Sequence, residues 1–422
     1  MKRAHPAALL LLQLGLLWTG AALHAEAPAV SYEAPAVSYE ALLARLGDIH
    51  PDYQAMQGEV RGARFAIDAA RALPDPTVRV ELMEIDDVNL RPDQVGTTKY
   101  TFEQMFPLWG KRGLRREAAE AGYAAAQARA DLTLAELRAM LRAAYAELYA
   151  AHLARGINAE VQALVHDMAL SASKRYANGI AAQQDVIKAR TEQTMLLAEA
   201  QELNGRYARA SVVINSLVGD PLDTPVPAPA GLPQTSSFME AWKGFEQSEG
   251  SNSPALAIAD RQVQQRRASR ELAARERYPD LTVGVTPVQT GTSFDSWELM
   301  LGVNVPLYGG TRAVEKEQVA MLAAAEDQRR AKLLSLRAAA AEARVAYEAA
   351  RARQKLFDEQ LLVESEISYR SAIAGYQGGQ VDFDTLIEAG RQIRNVRLQS
   401  VEAAVQQQMA VAQFERITGV QP

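Results

Sequence analysis

The stretch Phe106-Pro107-Leu108-Trp109-Gly110 returns later in the same chain as Val305-Pro306-Leu307-Tyr308-Gly309. Further along, Gly179 returns as Gly379, and the Leu217-Val218-Gly219 ending returns as Ile417-Thr418-Gly419. A shared spacing of about 200 residues over three landmarks is typical of a duplicated unit with several elements, and a short solenoid repeat would have a much shorter period. The stretch therefore marks one position in each of two long structural repeats.

The two repeats define the predicted domain boundaries. The first repeat covers 28–219, a proline-rich linker with a short helix covers 220–252, and the second repeat covers 253–422. A helix from His50 to Arg71 precedes the strands of the first repeat. Each repeat is predicted to contain two strands followed by two long helices. The predicted strands are 77–86, 99–106, 281–288 and 297–305, and the predicted long helices are 112–177, 183–217, 312–376 and 384–418.

The strands are predicted from alternation of apolar and polar residues. Val78 and Val80 share one face, whereas Arg79 and Glu81 share the other. The same alternation continues in the other three strands, where Glu103 and Glu298 fall on the polar face. Segments of about 10 residues with one apolar and one polar face suit the wall of a membrane barrel. Half-buried hairpins of a water-soluble protein are the alternative for any one strand.

The helices are predicted from a change of period. Leu134, Leu137 and Leu141 are spaced by three and four residues, and Leu333, Leu336 and Ala340 repeat those steps. This heptad-like spacing is typical of helices that pack side by side. A helix over 112–177 would reach on the order of 100 Å at about 1.5 Å per residue. Such rods must lie along one another, because a single globular core cannot contain them.

Composition excludes several classes of function. The chain of 422 residues has a net charge of −6 and no cysteine. The charge gives no reason to expect a nucleic-acid partner, and the missing cysteines exclude thiol catalysis and disulfides. Neither a catalytic constellation nor a phosphate-binding glycine loop is found. We therefore expect no enzyme activity, no catalytic residue, no cofactor and no resident metal.

The N-terminus resembles a secretory signal peptide. Lys2 and Arg3 precede an apolar run from Ala7 to Leu17, and Ala25-Glu26-Ala27 is a cleavage site of the A-x-A kind. The run is shorter than the roughly 20 residues that a transmembrane helix needs. We predict a signal peptide at 1–27, followed by a tandem copy of EAPAVSY without an expected function.

Four strands do not make a closed barrel. Unpaired strand edges are costly in lipid, and about eight strands form the smallest closed barrel. Two chains would supply eight strands, and side chains would fill the bore of such a barrel. Three chains would supply twelve strands, and their barrel would leave room for water. We predict a homotrimer whose lumen is lined by Arg79, Glu81, Glu103 and Glu298.

The chain resembles the TolC-like outer-membrane efflux factors. The duplication, the order of strand pair and long helices, and a Gly…Asp-Val-Ile signature at Gly179 to Ile187, with its partner at Gly379 to Ile387, carry this resemblance over the mature sequence. The segment from Phe102 to Arg115 is similar to the branch that serves heavy-metal resistance–nodulation–division (RND) pumps.

The resemblance implies the fold and the partners. The fold is mainly α with a membrane β-barrel: a trimeric 12-strand barrel in the outer membrane of a Gram-negative bacterium continues into a periplasmic α-barrel. The partners are a periplasmic adaptor (membrane fusion protein), an inner-membrane RND-type transporter and outer-membrane lipid. Because the chain has no cysteine, it departs from the lipoprotein members, and we expect no lipidation.

The helix tips supply the remaining site predictions. Asp185, Asp382 and Asp384 would form carboxylate rings at a periplasmic aperture in a trimer. The alternative is that they stabilise helix N-termini. Gly179 and Gly379 are predicted turn residues, and with Tyr176 and Tyr376 they form the predicted adaptor-contacting tips. For the tyrosines, packing beneath the tips is the alternative.

The function expected from these features is passive export through the exit duct of a tripartite efflux pump, with heavy-metal cations as cargo. An exit duct for type I protein secretion or multidrug efflux is an alternative within transport. A secreted coiled-coil structural protein without a pore is the alternative from another class.

Overall fold

The computed structural model describes residues 36–85, 90–180 and 182–420. The predicted signal peptide at 1–27 and the first three residues of the second EAPAVSY segment, 33–35, lie outside these ranges, as do Asp86 and Asp87 of the first hairpin. The described chain contains two copies of one arrangement, a β-hairpin followed by long antiparallel helices. Among its helices, none combines the length and the apolar character needed to cross a membrane.

The first copy contains four helices and one hairpin. Ser38 caps the first helix by accepting a hydrogen bond from the Ala41 backbone N–H, and Pro51 occupies the first turn of the second, where its missing N–H has no cost. The elements are α1 (Tyr39–Ile49), α2 (Pro51–Arg71), β1 (Thr77–Met83), β2 (Thr97–Phe106), α3 (Lys111–Ala177) and α4 (Gln183–Val218).

The linker carries a short helix, and the second copy repeats the first. The elements are α5 (Phe238–Gln247), α6 (Pro254–Arg275), β3 (Asp280–Thr290), β4 (Ser293–Asn304), α7 (Gly310–Leu356), a π-helical turn (Phe357–Leu361), α8 (Leu362–Gln377) and α9 (Phe383–Thr418). Both α4 and α9 end at a glycine in the left-handed conformation, Gly219 and Gly419. Helices α1 and α6 are additional to the predicted elements.

One predicted helix requires correction. The second rod was predicted as continuous over 312–376, but the π turn interrupts it. Its three parts have 47, 5 and 16 residues, one residue more in total than the 67 of α3. Pro107 and Pro306, before the turn, are 199 positions apart, whereas Gly179 and Gly379, beyond it, are 200 apart. The additional residue of the second rod therefore lies between these two landmarks, in the segment that contains the π turn.

The four strands form one antiparallel sheet in the order β1-β2-β3-β4. Both hairpins pair internally, and β2 pairs with β3, so the sheet joins the two copies. In the structure β2 starts earlier than predicted, and β3 and β4 extend beyond 281–288 and 297–305 at their turn, while β4 ends at Asn304. The outer edges of the sheet, β1 and β4, have no neighbouring strand within the described chain.

Alanine-rich helix packing holds the rods together. One apolar cluster around Leu141, Tyr145 and Ile214 joins α1, α3 and α4, and a second around Tyr347 and Phe414 joins α5, α6, α7 and α9. These clusters use the middle of α3, the second half of α7 and the C-terminal ends of α4 and α9, near the linker. A third cluster, which includes Ala189, Tyr376 and Phe383, lies at the ends of the helices that are far from the sheet.

A buried ion pair connects the two copies between these clusters. Arg142 of α3 is 4% exposed and Glu415 of α9 is 2% exposed. The Arg142 guanidinium donates to both carboxylate oxygens of Glu415, at 2.9 and 2.7 Å, and to Gln408 Oε1 at 2.9 Å. Burial raises the pKa of Glu415, and the charge and hydrogen bonds of Arg142 oppose that effect. The pair fixes the register of α3 against α9.

Candidate functional site

The helix tips, where α3 meets α4 and α8 meets α9, are built alike in both copies. Gly179 and Gly379 have φ of 70° and 69°, a left-handed conformation that glycine adopts at low cost. The N–H of Ile180 donates to the Arg175 carbonyl at 2.8 Å, and the N–H of Gln380 donates to the Gly375 carbonyl at 2.8 Å. Each rod therefore ends in a Schellman motif that turns the chain sharply.

Asp382 caps α9. Its carboxylate accepts hydrogen bonds from the Thr385 backbone N–H at 2.9 Å and from the Thr385 hydroxyl at 2.6 Å. These bonds lower the pKa of Asp382, so the cap is complete above the ordinary aspartate pKa and is lost as the pH falls through the lowered value. The capping interpretation therefore describes what Asp382 does within one chain.

Asp384 and Asp185 also lie at helix starts, with different surroundings. Asp384 accepts from Lys188 Nζ at 2.7 and 2.6 Å, which joins α4 to α9. Asp185 lies in the first turn of α4 and is half-buried. The structure thus brings the predicted aspartates to one end of the molecule. Which of them would face an aperture in an assembly remains a prediction.

The two tip tyrosines differ, which corrects one prediction. Tyr376 is 7% exposed and packs against the Phe383 ring, with 5.6 Å between ring centroids, and under the Arg175 guanidinium. Its side chain belongs to the tip core and offers little surface to a partner. Tyr176 is 46% exposed and stays available for contact.

A row of ion pairs between α4 and α9 extends from the tip. These pairs were not predicted from the sequence. Below the Lys188–Asp384 pair, Arg391 pairs with the buried carboxylate of Glu192, and Arg394 Nη1 lies 2.8 Å from Glu199 Oε2. Asp185, Glu192 and Glu199 are seven residues apart, a spacing that places them on one helix face. This seven-residue spacing of acidic side chains is the sequence signal that could have predicted the ion pairs. A cleft of about 950 Å³ opens between α4, α8 and α9 beside these pairs.

The polar face of the sheet holds the predicted lumen residues together. Arg79 Nη1 lies 3.6 Å from Glu81 Oε1 and 3.7 Å from Glu103 Oε1. Glu298 accepts from Lys99 Nζ at 2.8 Å. The hydroxyls of Thr101 and Thr286 lie 2.9 Å apart on the same face. Charged and hydroxyl side chains therefore cover one face from β1 to β4, although Lys99 was not predicted.

The opposite face of the sheet is apolar and open. Trp297, Leu299 and Leu301 of β4 are 73, 71 and 67% exposed, and Val78 of β1 is 69% exposed. Large apolar side chains are seldom left on a free surface in such a continuous area. The described residues contain no group of three or more His, Cys, Asp or Glu arranged to hold a metal ion.

Comparison with known proteins agrees with this geometry. The model of the family described as "Outer membrane efflux protein" matches residues 247–420. The chain is also 25% identical over 378 residues to the cobalt-zinc-cadmium resistance protein CzcC of Cupriavidus metallidurans, covering 86% of this chain and 85% of the relative. The second half of the chain is thus similar to the outer membrane efflux proteins.

Solved structures of low sequence identity share the fold of this chain. The chain superposes on the outer-membrane channel OprN with a TM-score of 0.80 at 20% identity, covering 91% of each chain. The match to VceC from Vibrio cholerae has a TM-score of 0.77 at 18% identity and covers 90% of this chain and 96% of that one. CusC matches with a TM-score of 0.72 at 16% identity over 90% and 91%. The predicted TolC-like fold, mainly α with a duplicated hairpin, is confirmed.

Proposed function

We propose that this protein is the outer-membrane exit duct of a tripartite efflux pump, and that it exports its cargo passively. The observation that carries the proposal is the sheet: one face is charged, the other is apolar and exposed, and neither edge strand has a further strand neighbour among the described residues. In lipid each unpaired backbone group costs several kcal/mol. Three copies would pair all edges in a 12-strand barrel, with the apolar face toward lipid.

The polar face would then line the lumen. Arg79, Glu81 and Glu103 form a connected charged group, and Lys99 with Glu298 forms a second. In a trimer each group would recur three times around the bore. Polar side chains on the inner face are what a water-filled barrel needs.

The long helices would continue the duct into the periplasm. The tips of α3–α4 and α8–α9 lie at the far end from the sheet, where Gly179, Gly379 and the exposed Tyr176 would contact a periplasmic adaptor. Asp185 and Asp384 would set the charge of the aperture. An inner-membrane RND-type transporter would supply the energy.

Heavy-metal cations are the cargo that we propose. The support is the likeness to the cobalt-zinc-cadmium resistance protein over most of both chains. Deleting the gene should lower tolerance to Co²⁺, Zn²⁺ and Cd²⁺ and leave tolerance to drugs and detergents unchanged. The opposite pattern would identify a multidrug duct, and co-purification with an ABC exporter would identify type I protein secretion.

The duct itself is tested separately from its cargo. The purified protein should partition with the outer membrane, have the mass of three chains in detergent and conduct ions in planar bilayers. A water-soluble monomer without conductance would contradict the proposal and would favour a secreted coiled-coil structural protein.

A further inference from the structure

The strand–helix junction of the first copy is covered by the second copy. The indole N–H of Trp109 donates to the Pro279 carbonyl at 2.8 Å. Lys111 is 1% exposed, and its Nζ lies 2.9 Å from Asp280 and 3.3 Å from Glu276. Arg115 reaches the same Glu276 at 3.3 Å. The start of α3 is thus held by the connection from α6 to β3.

The equivalent junction of the second copy is uncovered. Leu307 and Tyr308, the counterparts of Leu108 and Trp109, are 81% and 89% exposed. Val314 of α7 occupies the position of Arg115, eight residues after the repeated proline, and is 46% exposed. We call these three residues the junction surface. In a folded protein an apolar surface of this kind usually marks an interface.

A matching surface is uncovered at the other side of the molecule. Pro51 and Pro76 of the first copy correspond to Pro254 and Pro279 of the second, at equal separations. By this alignment Leu73 corresponds to Glu276 and Phe65 to Ala268. Ala268 is 2% exposed, whereas Phe65 is 70% and Leu73 is 39% exposed. We call Phe65 and Leu73 the receiving surface.

Helix α2, which carries Phe65 of the receiving surface, differs in the same way from its counterpart α6. Buried residues of α6 include Val263, Ala268 and Ala273. The structure describes every residue of α2 from Pro51 to Arg71 and finds none of them buried. Helix α6 packs against both α3 and α7, whereas α2 packs along α3 alone of the long rods. Within the described part of the chain, one side of α2 therefore lacks the neighbour that its counterpart has.

We propose that the junction surface of one chain docks on the receiving surface of a second copy of the same chain. The two surfaces adjoin β4 and β1, the opposite edges of the sheet, so they cannot meet within one chain. A contact between different surfaces of identical chains is heterologous, and it forms a ring when the rotation between neighbouring chains closes. The proposal rests on the ring assembly of the proposed function and names the residues that join its subunits.

The chemistry of the two contacts differs in a defined way. Between the copies of one chain, Arg115 meets Glu276; between chains, Val314 would meet Leu73. An ion pair is replaced by an apolar pair, and both members are exposed until a second chain covers them. Burying apolar surface contributes roughly 25 cal/mol per Å².

Cross-linking tests the contact directly, because the chain has no cysteine of its own. A chain with Val314→Cys and Leu73→Cys, treated in outer membranes with a short bifunctional maleimide, should give covalent dimers and trimers on a denaturing gel. Each single substitution should give monomers only. The matched control is Arg115→Cys with Glu276→Cys, whose cross-link lies within one chain and leaves a monomer.

Transplanting the ion pair gives a second test. Val314→Arg alone and Leu73→Glu alone should each reduce the trimer fraction in detergent at least fivefold, because each places one charge in an apolar contact. The two substitutions together should restore the trimer, since they reproduce the Arg115–Glu276 pair. Restoration would not occur if the two residues were far apart.

The outcomes separate this proposal from the proposed function. If the unaltered protein is a monomer, both are wrong. If it is a trimer but the Val314–Leu73 cross-link never joins two chains, only the docking proposal is wrong. Quenching of a fluorophore at Tyr308→Cys by brominated lipid, without any interchain product, would place the junction surface against the bilayer and would overturn the docking proposal.

Discussion

At the scale of single residues, Arg142 and Glu415 form an ion pair in which both side chains are almost fully buried. Both charges are withdrawn from water, and each satisfies the other with two hydrogen bonds. Such a pair is weak evidence for stability, because desolvation offsets its Coulomb attraction. Removing one partner is another matter, since it leaves the other charge buried without compensation.

Glu415→Ala should therefore lower the free energy of unfolding by about 3–5 kcal/mol. The paired change Arg142→Met with Glu415→Leu should cost far less, because an apolar pair needs no compensation. Urea unfolding of the protein in detergent, followed by circular dichroism, measures both. The control is Glu120→Ala, which breaks the exposed Arg116–Glu120 pair and should cost below about 1 kcal/mol. Equal costs for Glu120→Ala and Glu415→Ala would contradict this account.

The tip aspartates yield a prediction about conduction. Replacing Asp185 and Asp384 together with alanine should raise the single-channel conductance in planar bilayers and weaken the preference for cations, because carboxylate rings attract cations and repel anions. Lys188→Ala breaks the Lys188–Asp384 pair but keeps both carboxylates, and serves as the control. Unchanged conductance and selectivity in the double variant would leave these aspartates with helix stabilisation and ion pairing alone.

At the scale of elements, the π turn is the difference between the two rods. A deletion of one residue inside it, Gln360, should give a continuous helix, because the remainder then has the length of α3. The thermal unfolding midpoint should stay within a few degrees. A deletion of Gln328 in the regular part of α7 should unfold the rod, since it turns Leu336 and Tyr347 by about 100° away from their contacts. Equal effects of the two deletions would show that the turn does not absorb an insertion.

The same elements show how far the sequence leads. The rods could be predicted because their heptad-like spacing runs over many turns, and the tips because a left-handed position favours glycine. The π turn appears in the sequence only as a change of spacing by one residue. Tyr176 and Tyr376 occupy equivalent positions, so their different burial follows from Arg175 and Phe383, which the repeat pattern cannot reveal. The Arg142–Glu415 pair joins residues 273 positions apart, and no local pattern connects them.

At the scale of the whole molecule, the sheet has two faces of opposite character that reach from β1 to β4. Leu299 and Met300 are adjacent in β4 and point to opposite faces, with 71% and 39% exposure. Met300 pairs with Gly284, which in turn pairs with Glu103 of the charged face. This neighbouring pair allows lipid contact to be tested without changing the strand.

Leu299→Arg should reduce the yield of assembled trimer in outer membranes, because a cation in the middle of the lipid-facing wall costs about 2–4 kcal/mol. Met300→Arg should assemble normally, since its guanidinium would reach water and the Glu103 carboxylate. Trimer yield is measured on native gels of membrane extracts. Equal yields for the two variants would show that the apolar face does not meet hydrocarbon.

The buried Lys111 bears on how a ring of such chains avoids faulty closure. Its ammonium is satisfied by Glu276 and Asp280, whose counterparts in the first copy are Leu73 and Thr77. If the first copy of one chain docked on the first copy of another, Lys111 would face Leu73 and Thr77, and its charge would have no partner. The contact between the two copies of one chain is ionic, whereas the proposed contact between chains is apolar. This difference would prevent the two copies from exchanging positions when the ring closes.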